Sequence, residues 1–212
     1  MHRLPVLAVL SWATLALGVL EMLQHEGSAS DKYHTWHQVH PEFPIESEDF
    51  PGDYAYELEI AKQHHQWLLA NHLDAAQGKY GTITVAVLWD PIKKQHLAST
   101  VPRESRRLRM LKDGREAAPL WASKVQQLNP KGDFEKYKTH AEDGCYFDYE
   151  STKGNETPKG QYPAGSMIAS WGDKRSKPEH DSPAEYPPKP LAACSSHDRG
   201  KNPHCREMAQ AL

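Results

Sequence analysis

Residues 82–101 read TITVAVLWDPIKKQHLASTV, and this stretch sets the fold class. Thr82 to Trp89 is dense in β-branched and apolar residues, the composition that suits a pleated, buried strand. Asp90-Pro91 opens a turn through Lys93 and Lys94, and His96 to Val101 reads as the returning strand. A β-hairpin with a polar tip is predicted. Upstream, Asp53 to Ala76 places Tyr56, Ile60, His64, Leu68 and His72 at spacings of four, one face of a helix, with Gly78 behind it as a stop. Downstream of Pro102, the stretch RESRRLRMLKDGR is strongly basic, and a helix-like segment follows from about Ala117 to Leu128. Asn129-Pro130-Lys131-Gly132 breaks it. A further helix is expected from about His140 toward Ser151, then a short strand over Ser166–Trp171 with Gly172 behind it. Residues 173–193 read as a long surface loop, and Arg206–Leu212 as a helical tail. The order α, β, β, insert, α, β, loop, α predicts an α/β sandwich around a small sheet.

Composition narrows the class. The chain has 212 residues, with 25 Lys+Arg against 28 Asp+Glu and a formal charge of −3, which excludes a strongly basic nucleic-acid coat and a polyanionic tail. Its mean hydropathy of −0.76 leaves much of it to loops. Three cysteines exclude a disulfide-dense scaffold.

Met1-His2-Arg3 precedes a run from Leu4 to Leu20 without a charge, the pattern of a secretory signal peptide. Ala16-Leu17-Gly18 puts small residues where signal peptidase reads, so residues 1–18 are expected to be removed. A cut near residues 27–29 and an uncleaved anchor are the alternatives. Secretion is the expected fate, with no stable membrane span after cleavage, and the sequon Asn155-Glu156-Thr157 agrees with that route. Residues 19–53 then form a polar N-terminal arm carrying Pro41, Pro44 and Pro51. His34, His37 and His40 recur in it at every third residue and are expected to be exposed, a weak metal site being the other reading.

The residues that could do chemistry gather downstream. Thr139-His140-Ala141-Glu142-Asp143 opens the predicted late helix, and Cys194 and Cys205 follow far along the chain. A His, two Cys and a Glu two residues after the His are the parts of a hydrolytic zinc site, which takes three protein ligands and leaves a fourth position for water. The metal lowers the pKa of that water from ~15.7 to about 7. A carboxylate beside the metal, but not bound to it, can then carry the proton to a leaving amine.

The His-Ala-Glu tripeptide at a helix start, after a hairpin and before a strand and a late cysteine pair, resembles the cytidine deaminase-like superfamily. More narrowly, the chain is similar to secreted fungal deaminase-like proteins with a stretched second motif. The resemblance spans roughly residues 54–212 as one deaminase-like domain. It implies a three-layer α/β/α sandwich around a small mixed sheet, with Zn2+ held by His140, Cys194 and Cys205 and with Glu142 as proton shuttle. The substrate it implies is a nucleobase, free or within a nucleoside or nucleic acid.

The family has two residues between its cysteines, whereas SSHDRGKNPH separates Cys194 from Cys205 here. Gly200 and Asn202-Pro203 can loop that insert outward. Cys194-Ser195-Ser196-His197 offers a second ligand pair at the usual spacing, since imidazole also binds zinc. A structural disulfide in an oxidising compartment is the third reading, and with it a secreted binding protein that keeps the fold without the chemistry. Cys145 reads as a buried helix residue. The basic residues Arg103, Arg106, Arg107, Arg109, Lys112 and Arg115 read as a solvated face, with phosphate contact as the alternative. Trp89, Tyr146, Phe147 and Trp171 fit core or base-stacking roles alike. Phosphate-cradling glycine loops and Gly-x-Ser-x-Gly elbows are absent from the sequence.

Overall fold

The computed structural model describes residues 23–26, 31, 32, 34–38, 54–72, 83–128, 133–152, 161–172, 189 and 190. Residues 1–18, expected as a signal peptide, the sequon at Asn155, Cys194, His197, Cys205 and the tail Arg206–Leu212 lie outside them.

The hairpin forms as its composition predicts: β3 (Thr84–Asp90) and β4 (Gln95–Thr100) pair antiparallel from Val85↔Thr100 to Asp90↔Gln95. Asp90 organises the turn, its Oδ1 accepting the N–H groups of Ile92 (2.9 Å) and Lys93 (3.2 Å). Such Asx bonds substitute for ladder bonds where the chain reverses. On the other side of β3 lies β5 (Met167–Gly172), also antiparallel, from Thr84↔Gly172 to Trp89↔Met167.

Two short strands from the N-terminal part, β1 (Leu23–Glu26) and β2 (Thr35–Gln38), extend the sheet beyond β4, and β6 (Lys189–Pro190) extends it beyond β5. The strand order is β1-β2-β4-β3-β5-β6. The stretch expected as a polar arm therefore contributes to the sheet, and it is stitched there by side chains as much as by ladder bonds. Trp36 N–H donates to Thr100 Oγ1 (2.9 Å), Arg103 N–H to Thr35 Oγ1 (2.8 Å) and Ser105 Oγ to Asp31 Oδ1 (2.8 Å).

A mixed sheet was implied by the resemblance, but every pairing among the described strands is antiparallel. The reason is that β3 sits between β4 and β5 and runs against both. The connection from β4 to β5 carries its helices over one face instead of closing a parallel pair.

Alternation along the strands sends the core in two directions. Val85 and Val87 of β3 and Ala98 of β4 meet Ile60, Ala61 and Leu68 of α1 (Tyr54–Asn71) on one face. Ala86, Leu88 and Leu97 meet the opposite layer. That layer contains α2 (Glu104–Ala117), α3 (Pro119–Leu128), a 3₁₀ turn (Phe134–Lys136) and α4 (Ala141–Ser151). The chain is thus a mixed α/β protein with helices on both faces of its sheet.

Helix α1 buries Glu57, Ile60, Ala61, His64, His65 and Leu68, a stripe at helical spacing in which half the members are polar. The basic stretch is helical, and the solvated face expected of it is only partly so: Arg109, Lys112 and Arg115 are exposed, but Arg106 is buried. No described helix is long and apolar enough to cross a membrane.

Candidate active site

The site is built on α4, AEDGCYFDYES, a helix buried along most of its length although four of its eleven residues are acidic. Ala141 and Asp143 through Tyr149 are all buried, so α4 is a central helix; Asp143 and Asp148 are shut off from bulk water, while Glu142 and Glu150 are half-buried. Buried carboxylates demand donors. Each acidic residue of α4 meets that demand from a different part of the fold.

At the start, His140 is the extended N-cap residue, and its N–H donates to Asp143 Oδ2 (2.6 Å), one arm of a capping box. Asp143 also accepts Trp121 Nε1–H (2.8 Å) from α3 and the Tyr137 hydroxyl (3.2 Å). Burial pushes the Asp143 carboxyl above the usual range, and the charge and N–H of His140 and the bond from Trp121 pull it back in part. Glu142, half-buried, takes the Ser170 hydroxyl of β5 on Oε1 at 2.8 Å. Farther along, Asp148 is held from two elements: Arg106 of α2 on Oδ1 and His37 Nδ1 of β2 on Oδ2 (2.9 Å). Near the end, Glu150 accepts the N–H groups of Leu120 and Trp121 (2.8 Å each) and the Tyr162 hydroxyl (2.7 Å). It thereby caps α3, whose first-turn N–H groups have no partner inside the helix. Burial raises Glu150 and, more strongly, Tyr162.

The sheet beneath α4 is shaped to receive it. One cross-strand row runs His37, Ser99, Ala86, Ser170, given by the pairings His37↔Ser99, Ala86↔Ser99 and Ala86↔Ser170. Its members take the helix in turn: Ser170 meets Glu142, the main-chain carbonyl of Ala86 accepts the Cys145 thiol (3.4 Å), and His37 meets Asp148. Gly144 lies directly on Ser99, where a Cβ would come within 2.7 Å of Ser99 Cβ and closer still to its hydroxyl. Glycine is required at position 144, because any side chain there would overlap Ser99.

His140 and Glu142 lie at the N-terminal turn of α4, where the sequence predicts a helix to begin. Cys145 is buried, as expected, and burial pushes its thiol well up. Cys194, Cys205 and the alternative His197 fall outside the described residues, and among those described no group of three His, Cys, Asp or Glu could hold a metal ion. His37 corrects the expectation for its histidine series: it is buried at 6% exposure because Asp148 draws it in. Of the aromatic residues, Trp89, Tyr146 and Phe147 are core, and Trp171 is half-buried beneath the Lys62 ammonium (5.8 Å).

Sequence reasoning missed Asp148, Glu150 and Ser170, gave Asp143 no role of its own, and read Arg106 as part of a solvated face. The signal was present in the aromatic spacing of α4. Tyr146, Phe147 and Tyr149 bracket Asp148 with rings suited to a core, so that acid needed a partner. The basic stretch supplied one partner, Arg106. Arg107 is spent on the Tyr137 carbonyl (2.6 Å), while Lys112 and Arg115 border a groove of about 440 Å³ with Leu108, Leu111, Phe134 and Glu135.

No family model matches the chain, and no curated protein or solved structure is significantly similar to it.

Proposed function

We propose that the protein is a secreted, zinc-dependent hydrolytic deaminase acting on a nucleobase, free or within a nucleoside or nucleic acid. One observation carries the reading. The half-buried Glu142 carboxylate stands beside His140 at the N-terminus of the helix between hairpin and strand, fixed by a hydrogen bond from β5. The same element order, with helices on both faces, supports a three-layer sandwich of the cytidine deaminase type.

His140, Cys194 and Cys205 would hold the zinc. The described donors fit this in part, with one imidazole at a helix start and a carboxylate next to it. The pairing Trp171↔Pro190 adds that β6 runs back along β5 toward the level of Ser170. Cys194 is four residues beyond Pro190, a covalent reach of at most ~14 Å. When bound, zinc supplies a Lewis acid that makes hydroxide available near neutral pH.

The chain's own residues do the rest. Glu142 stands in the first turn of α4, at the positive end of the helix. Glu142 accepts a proton from the attacking water and passes it to the departing nitrogen, so it begins and ends each cycle ionised. Water adds, ammonia leaves, and an amine on the base becomes a carbonyl. Asp143 takes no part in this transfer, being committed to Trp121, Tyr137 and the His140 N–H.

The test is metal content, thiol count and ammonia release on protein made through a secretory pathway. Substrates would include cytosine, adenine, guanine, their nucleosides and single-stranded DNA and RNA. About one zinc per chain, and ammonia release that falls at least ~100-fold in Glu142→Ala with zinc retained, is the expected result. Zinc-free protein with a Cys194–Cys205 disulfide overturns the reading in favour of a binding protein. Loss of zinc in Glu142→Ala would make that residue structural.

A further inference from the structure

Ser170 is a polar residue at an inward position of β5. Ile168, two residues away on the same side, packs into the apolar layer with Ala86 and Leu88, and Ser170 itself is only 4% exposed. An alanine would satisfy that packing, as Ala86 does directly across the ladder. What a hydroxyl adds is its bond to Glu142 Oε1 at 2.8 Å. Glu142 reaches it from a helix that is itself immobilised at Asp143, Asp148 and Glu150, so both ends of the bond are fixed to rigid elements.

We infer that Ser170 is a positioning residue for the proposed deamination, holding Glu142 by Oε1 so that Oε2 is the oxygen that takes and returns the proton. The inference rests on the deaminase reading for its chemistry, but not for its geometry. A glutamate has three side-chain torsions, and an unrestrained carboxylate would spread over many positions, losing the advantage of a preset reaction geometry. Ser170 removes that freedom and assigns the two oxygens different work. Because the donor is a neutral hydroxyl, it restrains the carboxylate without neutralising it. Threonine can keep the same hydroxyl at this strand position, whereas alanine cannot.

The experiment compares wild type, Ser170→Ala and Ser170→Thr, with glutamate side chains isotopically labelled and the Glu142 signal assigned by its loss in Glu142→Gln. Side-chain NMR relaxation reports how ordered the Glu142 carboxylate arm is on the ps–ns timescale. In Ser170→Ala its order is expected to fall to the level of the exposed Glu116, and in Ser170→Thr to return to the wild-type level. Where a substrate has been found, Ser170→Ala should lower kcat about 10- to 100-fold with KM unchanged. Unchanged Glu142 order in Ser170→Ala overturns the inference, even in a protein that deaminates. A wild type inactive on every base would instead overturn the proposed function, and the relaxation data would still decide whether Ser170 holds Glu142.

Discussion

The two faces of the sheet bury polar groups in opposite ways. On the α4 face, Asp143, Asp148 and Glu150 each collect two or more donors from other elements. On the α1 face, Glu57 is fully buried, yet only Oε2 is engaged, by His96 Nδ1 at 2.7 Å. Glu57 Oε1 and His64 Nδ1 have no hydrogen-bond partner among the described residues. Burial accordingly raises Glu57, partly offset by His96, and drives His64 down to about 4, helped by the charge of His96. A satisfied buried network fixes one arrangement of the elements around it, whereas a half-satisfied one costs stability without fixing anything. The molecule is therefore over-determined at the candidate site and under-determined behind it.

The largest expected effect lies on the satisfied face. Asp148→Ala takes the carboxylate from Arg106, which is 1% exposed, and from His37 at once. Removing one partner of a buried ion pair costs about 3–5 kcal/mol, because the charge left behind cannot be solvated. Urea unfolding should read that loss. The matching change on the other face, replacing Glu57 and His96 together by leucine, should be neutral or stabilising by about 1–4 kcal/mol. Equal losses for the two variants would erase the contrast.

A somewhat smaller effect should appear with pH. His64 titrates near 6.5 when unfolded and at about 4 when folded, so between those values the unfolded state binds more protons. Stability therefore falls as pH is lowered from about 6.5 to 4, by about 3 kcal/mol, and is flat in this term below that. The charged group acting on His64 is His96 of β4, and both His96 and its partner Glu57 remain in His64→Leu. The difference between the wild-type and His64→Leu stability curves isolates the term. A difference that does not change from pH 7 to pH 4 would show that His64 is not held neutral.

The same contrast explains what could be read in advance. The hairpin, α1, α4 and β5 were legible because each carries a local period or a turn residue: the apolar run of Thr82–Trp89, Asp90-Pro91, and the fourfold spacing from Ile60 to Leu68. His140 and Glu142 were legible as a short motif with a position in the element order. The donors were not, because Ser170, Arg106 and His37 lie 28, 42 and 111 residues from the carboxylates they serve. A pairing across such separations leaves no local pattern. For the same reason the strands at residues 23–38 were invisible: β2 joins β4 through a single registered pair, His37↔Ser99, and through side chains of Thr35 and Thr100. Their composition is that of a loop, and tertiary contacts override it.

The smallest of the expected effects tests how closely α4 is seated. Gly144→Ala adds a Cβ where Ser99 Cβ stands 2.7 Å away, with the Ser99 hydroxyl nearer still and Pro102 Cγ at 3.4 Å. Alanine is otherwise the better helix former, by about 1 kcal/mol over glycine. The sign of the net change therefore shows whether crowding outweighs that gain. We expect overpacking to prevail, with a net loss of about 1–3 kcal/mol. Adding Ser99→Ala removes the hydroxyl but leaves the Cβ contact, so the double variant should recover part of the loss and not all of it. Full recovery would place the crowding in the hydroxyl, a group free to turn away. A gain in the single variant would mean that α4 can lift from the His37-Ser99-Ala86-Ser170 row, and with it the fixed distance between Glu142 and Ser170 on which the candidate site depends.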